Sequence, residues 1–301
     1  MPRLHGFTKK QILDVFEKMV LARKLDEKML TMLKQGKSFF HMGGSGHEAA
    51  QLAAAAVMRP GEDWIFPYYR DAALCIGLGM TSREQLLSYL ARADDPNSGG
   101  RQMPHHYGHK DLRIVSQSSS TGTQFLQAVG CALARKMEKT KEIVYVSSGE
   151  GTTSQGDYHE ALNWASLAKA PVIFHIQDNE YAISTHKSEQ ISSSVFTMAS
   201  GYKNLARYEV NGTDFFETNL AFKQAVERGR RGKGPSLVVS NVVRLLSHSS
   251  SDDHRKYRSS KALDEDRNRD PITILKSQCA KENFISSKEF GKIQNKIDAQ
   301  V

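Results

Sequence analysis

The sequence has few of the features that mark secreted or membrane proteins. Its 3 cysteines form no CxxC pair, so we expect reduced thiols, with neither a disulfide framework nor a zinc site. The longest apolar run, Leu52–Met58, is far shorter than the ~20 residues that span a bilayer. No hydrophobic signal region follows Met1. These absences predict a cytoplasmic protein that does not enter a membrane.

The charge is positive but does not indicate nucleic-acid binding. The chain has 41 Lys+Arg and 33 Asp+Glu, a formal charge of +8. The densest basic segment, residues 228–234, has no interleaved aromatic residues, which is typical of a solvated loop or a partner surface. With 39% apolar and 25% charged residues, the composition is that of a globular protein with material for a core.

Helical patterns dominate the first 140 residues. Residues 8–35 predict a long amphipathic helix that begins at the capping box Thr8-x-x-Gln11. Further helices are expected over 48–58, from Thr81 to about 94, and over 124–139. Residues 97–122 are rich in Gly, Ser and His without a period, and a loop this long inside a domain is usually functional or disordered.

Strands and helices then alternate. Apolar runs over 143–146, 172–176 and 236–243 are separated by helical patterns over 158–168 and 215–229. This βαβ rhythm predicts the α/β class, with a parallel sheet flanked by helices on both faces. Residues 262–301 are expected to form charged helices. We expect one domain over residues 1–275 and a helical extension over 276–301, which is interpreted as a truncated linker to a further half.

Three familiar motifs are incomplete. His47-Glu48 lacks the second histidine of a zinc protease, because residue 51 is Gln. Gly149-Glu150-Gly151 lacks the third glycine of a dinucleotide fingerprint. His105, His106, His109 and Asp111 have neither Cys partners nor helical spacing, and are a weak metal candidate.

Polar residues follow two successive predicted strands. Gly149-Glu150-Gly151 ends one strand and Asp178-Asn179-Glu180-Tyr181 ends the next. Because both loops leave a parallel sheet at its carboxyl edge, they are expected to meet where ligands of such sheets bind. Carboxylate, amide and carbonyl oxygens suit Mg²⁺, which commonly completes its shell with phosphate oxygens. These residue types indicate a metal-bridged diphosphate, whereas the spacing alone favours an ordinary strand-end loop with an exposed acid.

This pair of segments resembles the thiamine-diphosphate motif, and the surrounding sequence resembles one family that uses it. Over about residues 8–275 the chain is similar to the alpha subunit of the decarboxylating component of 2-oxo acid dehydrogenase complexes. The matching segments are Phe66-Pro-Tyr-Tyr-Arg-Asp71, Met103-Pro-His-His-Tyr-Gly108, Ser118-Ser-Ser-Thr-Gly-Thr-Gln124, Gly149–Asp157, Asp178–Thr185, His248-Ser-Ser-Ser-Asp-Asp253 and Arg269-Asp-Pro-Ile272. The resemblance implies the thiamine-diphosphate-binding fold.

The resemblance also implies roles for individual residues. Glu150, Asn179 and the backbone carbonyl of Tyr181 would hold Mg²⁺. The residues that would contact thiamine diphosphate are Tyr69, Arg70, Ser119, Thr121, Gly149, Gly151 and Arg244, the last of which would alternatively order a neighbouring loop. Ser118, Thr123 and Gln124 resemble a loop that binds K⁺.

Two histidines are the implied catalytic residues. His106 and His248 would lie beside the reactive carbon of the cofactor and move or stabilise protons. The sequence departs from the family at Asp178, where many branched-chain relatives have Arg, and at Ser247, where a His is common. Ser249 matches a regulatory phosphoserine of mitochondrial relatives.

The implied activity needs a second polypeptide. The chain would be the alpha half of a branched-chain 2-oxo acid dehydrogenase, with pyruvate or acetoin as the alternative substrate. It would be active with a beta subunit, separate or fused, in a two-plus-two heterotetramer. The acyl group would pass to a lipoyl-bearing acyltransferase. A non-catalytic basic scaffold, binding an acidic partner or nucleic acid through residues 228–233, is the competing interpretation.

Overall fold

The fold is built on a parallel sheet. The computed structural model describes residues 2–301. Its strands are β1 (Arg3–Leu4), β2 (Phe7–Thr8), β3 (Trp64–Phe66), β4 (Val144–Gly149), β5 (Val172–Asp178), β6 (Tyr181–Ala182), β7 (Thr185–His186), β8 (Ala206–Asn211) and β9 (Ser236–Asn241). Five of them form the central sheet in the order β3-β4-β5-β9-β8, with every neighbouring pair parallel. β1–β2 and β6–β7 are short antiparallel pairs.

Helices cover both faces of this sheet. They are α1 (Lys9–Lys34), α2 (Glu48–Ala55), α3 (Ala72–Leu78), α4 (Ser82–Tyr89), α5 (Thr123–Met137), α6 (Gly156–Ala168), α7 (Lys187–Gln190), α8 (Val195–Met198), α9 (Phe215–Arg230), α10 (Ser260–Asn268), α11 (Pro271–Lys281) and α12 (Ser287–Gln300). On one face α1, α2, α3 and α9 share a hydrophobic cluster with Ile173 of β5. On the other face α5 and α6 pack against the next residue, Phe174. The predicted α/β fold with two covered faces is confirmed.

Burial on both faces explains why β5, the central strand, could be predicted from the sequence. All seven residues of β5 are buried, so the strand is close to a continuous apolar run. The long first helix is also as predicted, since Thr8 accepts from the backbone of Gln11 in a capping box. The helix ends at Lys34, and Gly36 follows at φ +71°.

Two strands of the sheet were not predicted. β3 has three residues and stops before Pro67, which is too short for a pattern to show. β8 lies at the edge of the sheet and is largely half-exposed, so it carries Arg207 and Glu209 instead of an apolar run. Two helices are shorter than expected. α2 ends at Ala55 and α4 at Tyr89.

The last residues pack into the main core. The expected boundary after residue 275 falls inside α11. Phe290 of α12 packs edge-on against Phe16 of α1, with ring centroids 4.5 Å apart. Ile297 and Cys279 are fully buried in the same cluster. Residues 276–301 therefore belong to the helical layer that covers one face of the sheet.

The basic segment is tied to the fold. Arg230 pairs with buried Asp63 at 2.7 Å, and Arg228 donates to the carbonyl of Asn204 at 2.6 Å. Arg231 pairs with Glu227 one turn earlier in the chain. Three of its arginines thus have partners within the chain, which weakens the interpretation of this segment as a docking surface for acidic molecules.

Cys75, Cys131 and Cys279 are free thiols, and two of them are buried. Between residues 2 and 301 no helix has the length and apolar character that crossing a bilayer requires.

Candidate active site

A pocket of about 380 Å³ lies at the carboxyl ends of β4 and β5. It is lined by eleven of the twelve residues that were predicted to bind Mg²⁺, to contact the cofactor or to act in catalysis. They are Tyr69, Arg70, His106, Ser119, Thr121, Gly149, Glu150, Gly151, Asn179, Tyr181 and His248. His106, Ser119 and Thr121 come from the segment 97–122, which contains no helix or strand anywhere along its described length. The predicted convergence on one edge of the sheet is therefore seen.

Glu150 and Asn179 meet at the centre of this edge. The backbone N–H of Asn179 donates to Oε2 of Glu150 at 3.1 Å, and both side chains are buried. Oε1 of Glu150 and Oδ1 of Asn179 are buried without a hydrogen-bond partner in the part of the chain that is described. Buried polar atoms are rarely left unpaired. Two unpaired oxygens in one pocket therefore indicate a bound cation or hydrogen-bond donor that contacts both of them. A carboxylate and an amide oxygen are the donors that Mg²⁺ prefers.

The electrostatics of Glu150 also favour a cation. Burial, and then the neighbouring charge of Asp178, raise the pKa of Glu150 to about 7. Both causes disfavour the carboxylate, and a bound cation would reverse them. Asp178 itself does not line the pocket and is paired with Lys187 at 3.0 Å. Asp178, one of the positions at which the sequence departs from the family pattern, thus lies outside the pocket.

The structure does not support a metal site at His105, His106, His109 and Asp111. Across residues 2–301 no group of three His, Cys, Asp or Glu side chains is arranged to hold an ion. His109 lies 3.5 Å from Glu84 of α4 instead. The pocket at Glu150 differs from such groups, because it offers an amide oxygen beside a carboxylate.

The two glycines beside Glu150 differ in what they require. A Cβ added at Gly151 would lie 2.5 Å from Cβ of Ala182, so the loop between β5 and β7 can approach only a glycine here. A Cβ added at Gly149 would meet its nearest atoms at 3.9 Å, which is ordinary contact. Gly151 is thus required for close packing of the Tyr181 segment on the Glu150 loop, and Gly149 is not sterically required.

Arg70 joins two loops at the pocket wall. Its side chain is buried, and its guanidinium donates to the carbonyl of Gly43 at 2.7 Å and to the carbonyl of His248 at 2.9 Å. It also lies 3.0 Å from Nδ1 of His248, and packs 5.1 Å from the ring centre of Tyr69. The arrangement supplies one buried positive charge where an anionic group would bind.

His248 is held as a neutral imidazole. Burial, followed by the charges of Arg70 and Arg244, lowers the pKa of His248 to about 3. Since Arg70 donates to Nδ1, the ring proton is on Nε2. His106 lines the same pocket with Nε2 2.6 Å from Oγ of Ser119. A hydrogen-bond partner thus fixes one nitrogen of each imidazole at the pocket.

Arg244 is the predicted residue that does not line the pocket. It is buried and donates to the carbonyl of Ile183 at 3.0 Å and to the hydroxyl of Tyr257 at 2.7 Å. The Tyr257 hydroxyl donates to Asp252, which also accepts from the backbone N–H of His248 at 2.8 Å. Of the two roles expected for Arg244, this chain of contacts favours ordering of the His248 loop.

The predicted K⁺ loop is closed by its own hydrogen bonds. Oγ of Ser118 accepts from the N–H of Ser120, and Oγ1 of Thr123 donates to the carbonyl of Ser120 at 3.0 Å. Gln124 donates to the carbonyl of Ser147 at 3.1 Å, which ties the loop to β4. K⁺ binding here stays a prediction.

Ser249, which matches a regulatory phosphoserine, is buried, and its Oγ lies 3.0 Å from Oγ of Ser251.

Sequence reasoning missed the polar network beneath the pocket. Gln177 donates to Asp71 at 2.7 Å and accepts from His47 and Gln51, each at 2.9 Å. Gln51 also donates to the carbonyl of Arg70 at 2.9 Å. Burial, and then the charge of Arg70, lower the pKa of His47 to about 3, so it is neutral. Through the hydrogen bond from Gln51, this network holds the backbone of Arg70 in place.

Known proteins resemble this chain over nearly its whole length. The profile of the dehydrogenase E1 component family matches residues 17–301. The 2-oxoisovalerate dehydrogenase subunit alpha of Bacillus subtilis (strain 168) is 41% identical over 282 residues, which are 93% of this chain and 85% of that protein. An Arabidopsis thaliana mitochondrial 2-oxoisovalerate dehydrogenase subunit alpha 2 is 31% identical, over 95% of this chain and 61% of that protein. The pyruvate dehydrogenase E1 component subunit alpha of Staphylococcus aureus (strain Mu50) is 32% identical, over 88% and 69%.

Proposed function

The chain belongs to the dehydrogenase E1 component family, and on that premise we propose that it is the alpha half of a branched-chain 2-oxo acid dehydrogenase. The 41% identity to a 2-oxoisovalerate dehydrogenase alpha subunit supports the branched-chain substrate. Pyruvate is the alternative substrate, because a pyruvate dehydrogenase alpha subunit is 32% identical. The observation that carries the chemistry is the meeting of Glu150 and Asn179, each with one unpaired buried oxygen.

The family depends on thiamine diphosphate, and the residues of the pocket fit it. Glu150, Asn179 and the carbonyl of Tyr181 would hold Mg²⁺, which in turn would bind the diphosphate. Arg70 supplies the buried positive charge on the opposite wall, with Tyr69 against its guanidinium. Ser119 and Thr121 would contact the pyrimidine ring from the loop side of the pocket.

The reaction needs an electron sink and controlled protons. When bound, thiamine diphosphate supplies the sink for the electron pair that is left as CO₂ departs. His248 would donate a hydrogen bond from Nε2 to negative charge that develops in the pocket, because Arg70 occupies its other nitrogen. His106 would exchange a proton at Nε2 with Ser119. His106 is buried and His248 is half-buried, so water has limited access to both rings.

A partner chain completes the proposed enzyme. Alpha subunits of this family pair with beta subunits, and we propose that a lipoyl-bearing acyltransferase then accepts the acyl group. Met103 and Ile183 line the pocket yet expose 47% and 55% of their surface, so they are suited to contact with the beta chain.

Cofactor binding tests the proposal. The chain is co-expressed with a beta-type partner, and thiamine diphosphate binding is measured by calorimetry with and without Mg²⁺. We expect Mg²⁺-dependent binding that is lost in Glu150→Ala and Asn179→Ala and kept in Glu160→Ala, an exposed acid on α6. Comparing kcat/KM for 2-oxoisovalerate and pyruvate then assigns the substrate. Binding that ignores Mg²⁺, or that survives both site variants, would contradict the proposal.

A further inference from the structure

Two buried histidines outside the pocket touch each other. Nε2 of His105 lies 3.2 Å from Nδ1 of His41, and their ring centroids are 4.9 Å apart. Both side chains are almost fully buried, and neither lines the pocket. The proposed catalytic roles belong to His106 and His248, and none of them involves His41 or His105.

The pair continues to an acid in α1. Nε2 of His41 lies 3.4 Å from Oδ1 of Asp26, while Ser45 donates to the other carboxylate oxygen at 2.7 Å. Burial acts to raise the pKa of Asp26, but its contacts with His41 and Ser45 hold that pKa below the ordinary value, so Asp26 is charged. Burial, and then His41, lower the pKa of His105 to about 3, so His105 is neutral.

One hydrogen bond joins Nε2 of His105 to Nδ1 of His41, and the other ring nitrogen of His41 faces the carboxylate of Asp26. On the far side, Nδ1 of His105 lies 3.4 Å from the hydroxyl of Tyr107. Asp26, His41 and His105 therefore form a chain of polar contacts from α1 to the loop that carries His106.

His41 also holds the other catalytic loop. Its carbonyl accepts from the N–H of Ser250 at 2.8 Å, and its N–H donates to Oγ of Ser250 at 3.1 Å. Ser250 is two residues beyond His248. His41 thus contacts the His248 loop through its backbone and the His106 loop through its ring.

The backbone at His105 shows what the contact achieves. His105 has φ +64°, in the left-handed region that few residues other than Gly, Asn, Asp and His adopt. This turn directs its ring toward His41 while the next residue, His106, lines the pocket. Burial of the ring and its contact with His41 offset the cost of the turn.

We propose that Asp26, His41 and His105 are positioning residues that hold the His106 and His248 loops in fixed register across the pocket. Because the kinetic consequence rests on the proposed function, the test also needs a readout that does not. Loop order provides one, since hydrogen exchange reports it without any cofactor.

The test compares His105→Asn with wild type in the complex with the beta partner. Asn accepts the left-handed backbone but is too short to reach His41, so it removes the contact with little backbone strain. We expect exchange in peptides covering 101–119 and 246–252 to quicken by at least about threefold, because both loops lose their common anchor. We also expect kcat to fall about tenfold, while KM and the Kd for thiamine diphosphate stay within about twofold.

Two further variants make the result decisive. His159→Asn, at an exposed histidine of α6, is the matched control and should behave as wild type. Asp26→Asn conserves volume, and it should produce the same changes if His105→Asn fails to assemble. Wild-type exchange and kcat in the variants, or a parallel loss of kcat, cofactor affinity and melting temperature, would overturn the proposal. If wild type binds no thiamine diphosphate, the proposed function fails, and the exchange rates alone decide the positioning role.

Discussion

The backbone N–H of Asn179 donates to Oε2 of Glu150 at 3.1 Å, although 29 residues separate them in the chain. The register of the sheet places Gly149 of β4 beside Gln177 of β5, so the residues that follow both strands leave the same edge side by side. One oxygen of Glu150 is thereby fixed by the backbone. The other stays unpaired within the described part of the pocket.

Removing the charge of Glu150 should remove metal-dependent binding. Glu150→Gln keeps the size of the side chain, but an amide is a weaker ligand for Mg²⁺ than a carboxylate. We expect the affinity of the complex for thiamine diphosphate in the presence of Mg²⁺ to fall by roughly 100-fold. Calorimetry measures this change, with Glu160→Gln as the control. An affinity within about threefold of wild type would show that Glu150 is not a metal ligand.

Crowding the loop at Gly151 should displace the Tyr181 segment. A Cβ there would lie 2.5 Å from that of Ala182, so Gly151→Ala has to push the two loops apart. We expect cofactor affinity to drop about tenfold and the melting temperature to fall, because the clash is backed by packed structure. Gly291→Ala in α12 meets no atom within 4 Å and should be neutral or stabilising by about 0.5–1 kcal/mol. Equal behaviour of the two variants would refute the packing argument.

The predictable elements are those whose residues share one environment. β4, β5 and β9 are buried on both faces and therefore appear as apolar runs, and α1 shows its capping box and stripe. β3 was not predicted because it is short, and β8 was not predicted because it is half-exposed at an edge of the sheet. Pairing with β4 and β9 makes them strands, and no local pattern records such pairing.

The site divides in the same way. The pocket residues lie in contiguous motifs, so their types and order were sufficient to select them. The network of His47, Gln51, Asp71 and Gln177 joins residues up to 130 positions apart, and each is an ordinary buried polar residue on its own. The outward pairing of Asp178 with Lys187 and the loop contacts of Arg244 likewise depend on side-chain direction, which only tertiary packing determines.

The hydroxyl of Tyr257 should matter for catalysis although it lies behind the pocket. It accepts from Arg244 and donates to Asp252, which holds the backbone of His248. Tyr257→Phe keeps the ring but leaves two charged groups without their link, at a cost of about 1–3 kcal/mol. We expect kcat to fall about tenfold and hydrogen exchange of residues 246–252 to quicken, whereas Tyr202→Phe on the opposite layer should change neither. Unchanged kcat and exchange in Tyr257→Phe would mean that Asp252 holds the loop without it.

Acid should destabilise the folded protein, and His175 should account for part of the effect. His175 is fully buried in β5, with Nδ1 2.6 Å from the Tyr145 hydroxyl and Nε2 3.0 Å from Oγ of Ser240. Burial, and then His47, lower the pKa of His175 to about 3, against 6.5 for an exposed histidine.

Between these two values the unfolded chain binds a proton that the folded chain does not, so stability is present above pH 6.5 and is lost as the pH falls. At pH 5.0 the loss from one such group is about 2 kcal/mol. His175→Gln should therefore shrink the difference in free energy of unfolding between pH 7.5 and pH 5.0 by about this amount, as measured by urea denaturation of the complex. His159→Gln, at an exposed position, should retain the wild-type difference. A His175→Gln curve parallel to wild type would show that His175 titrates equally in both states.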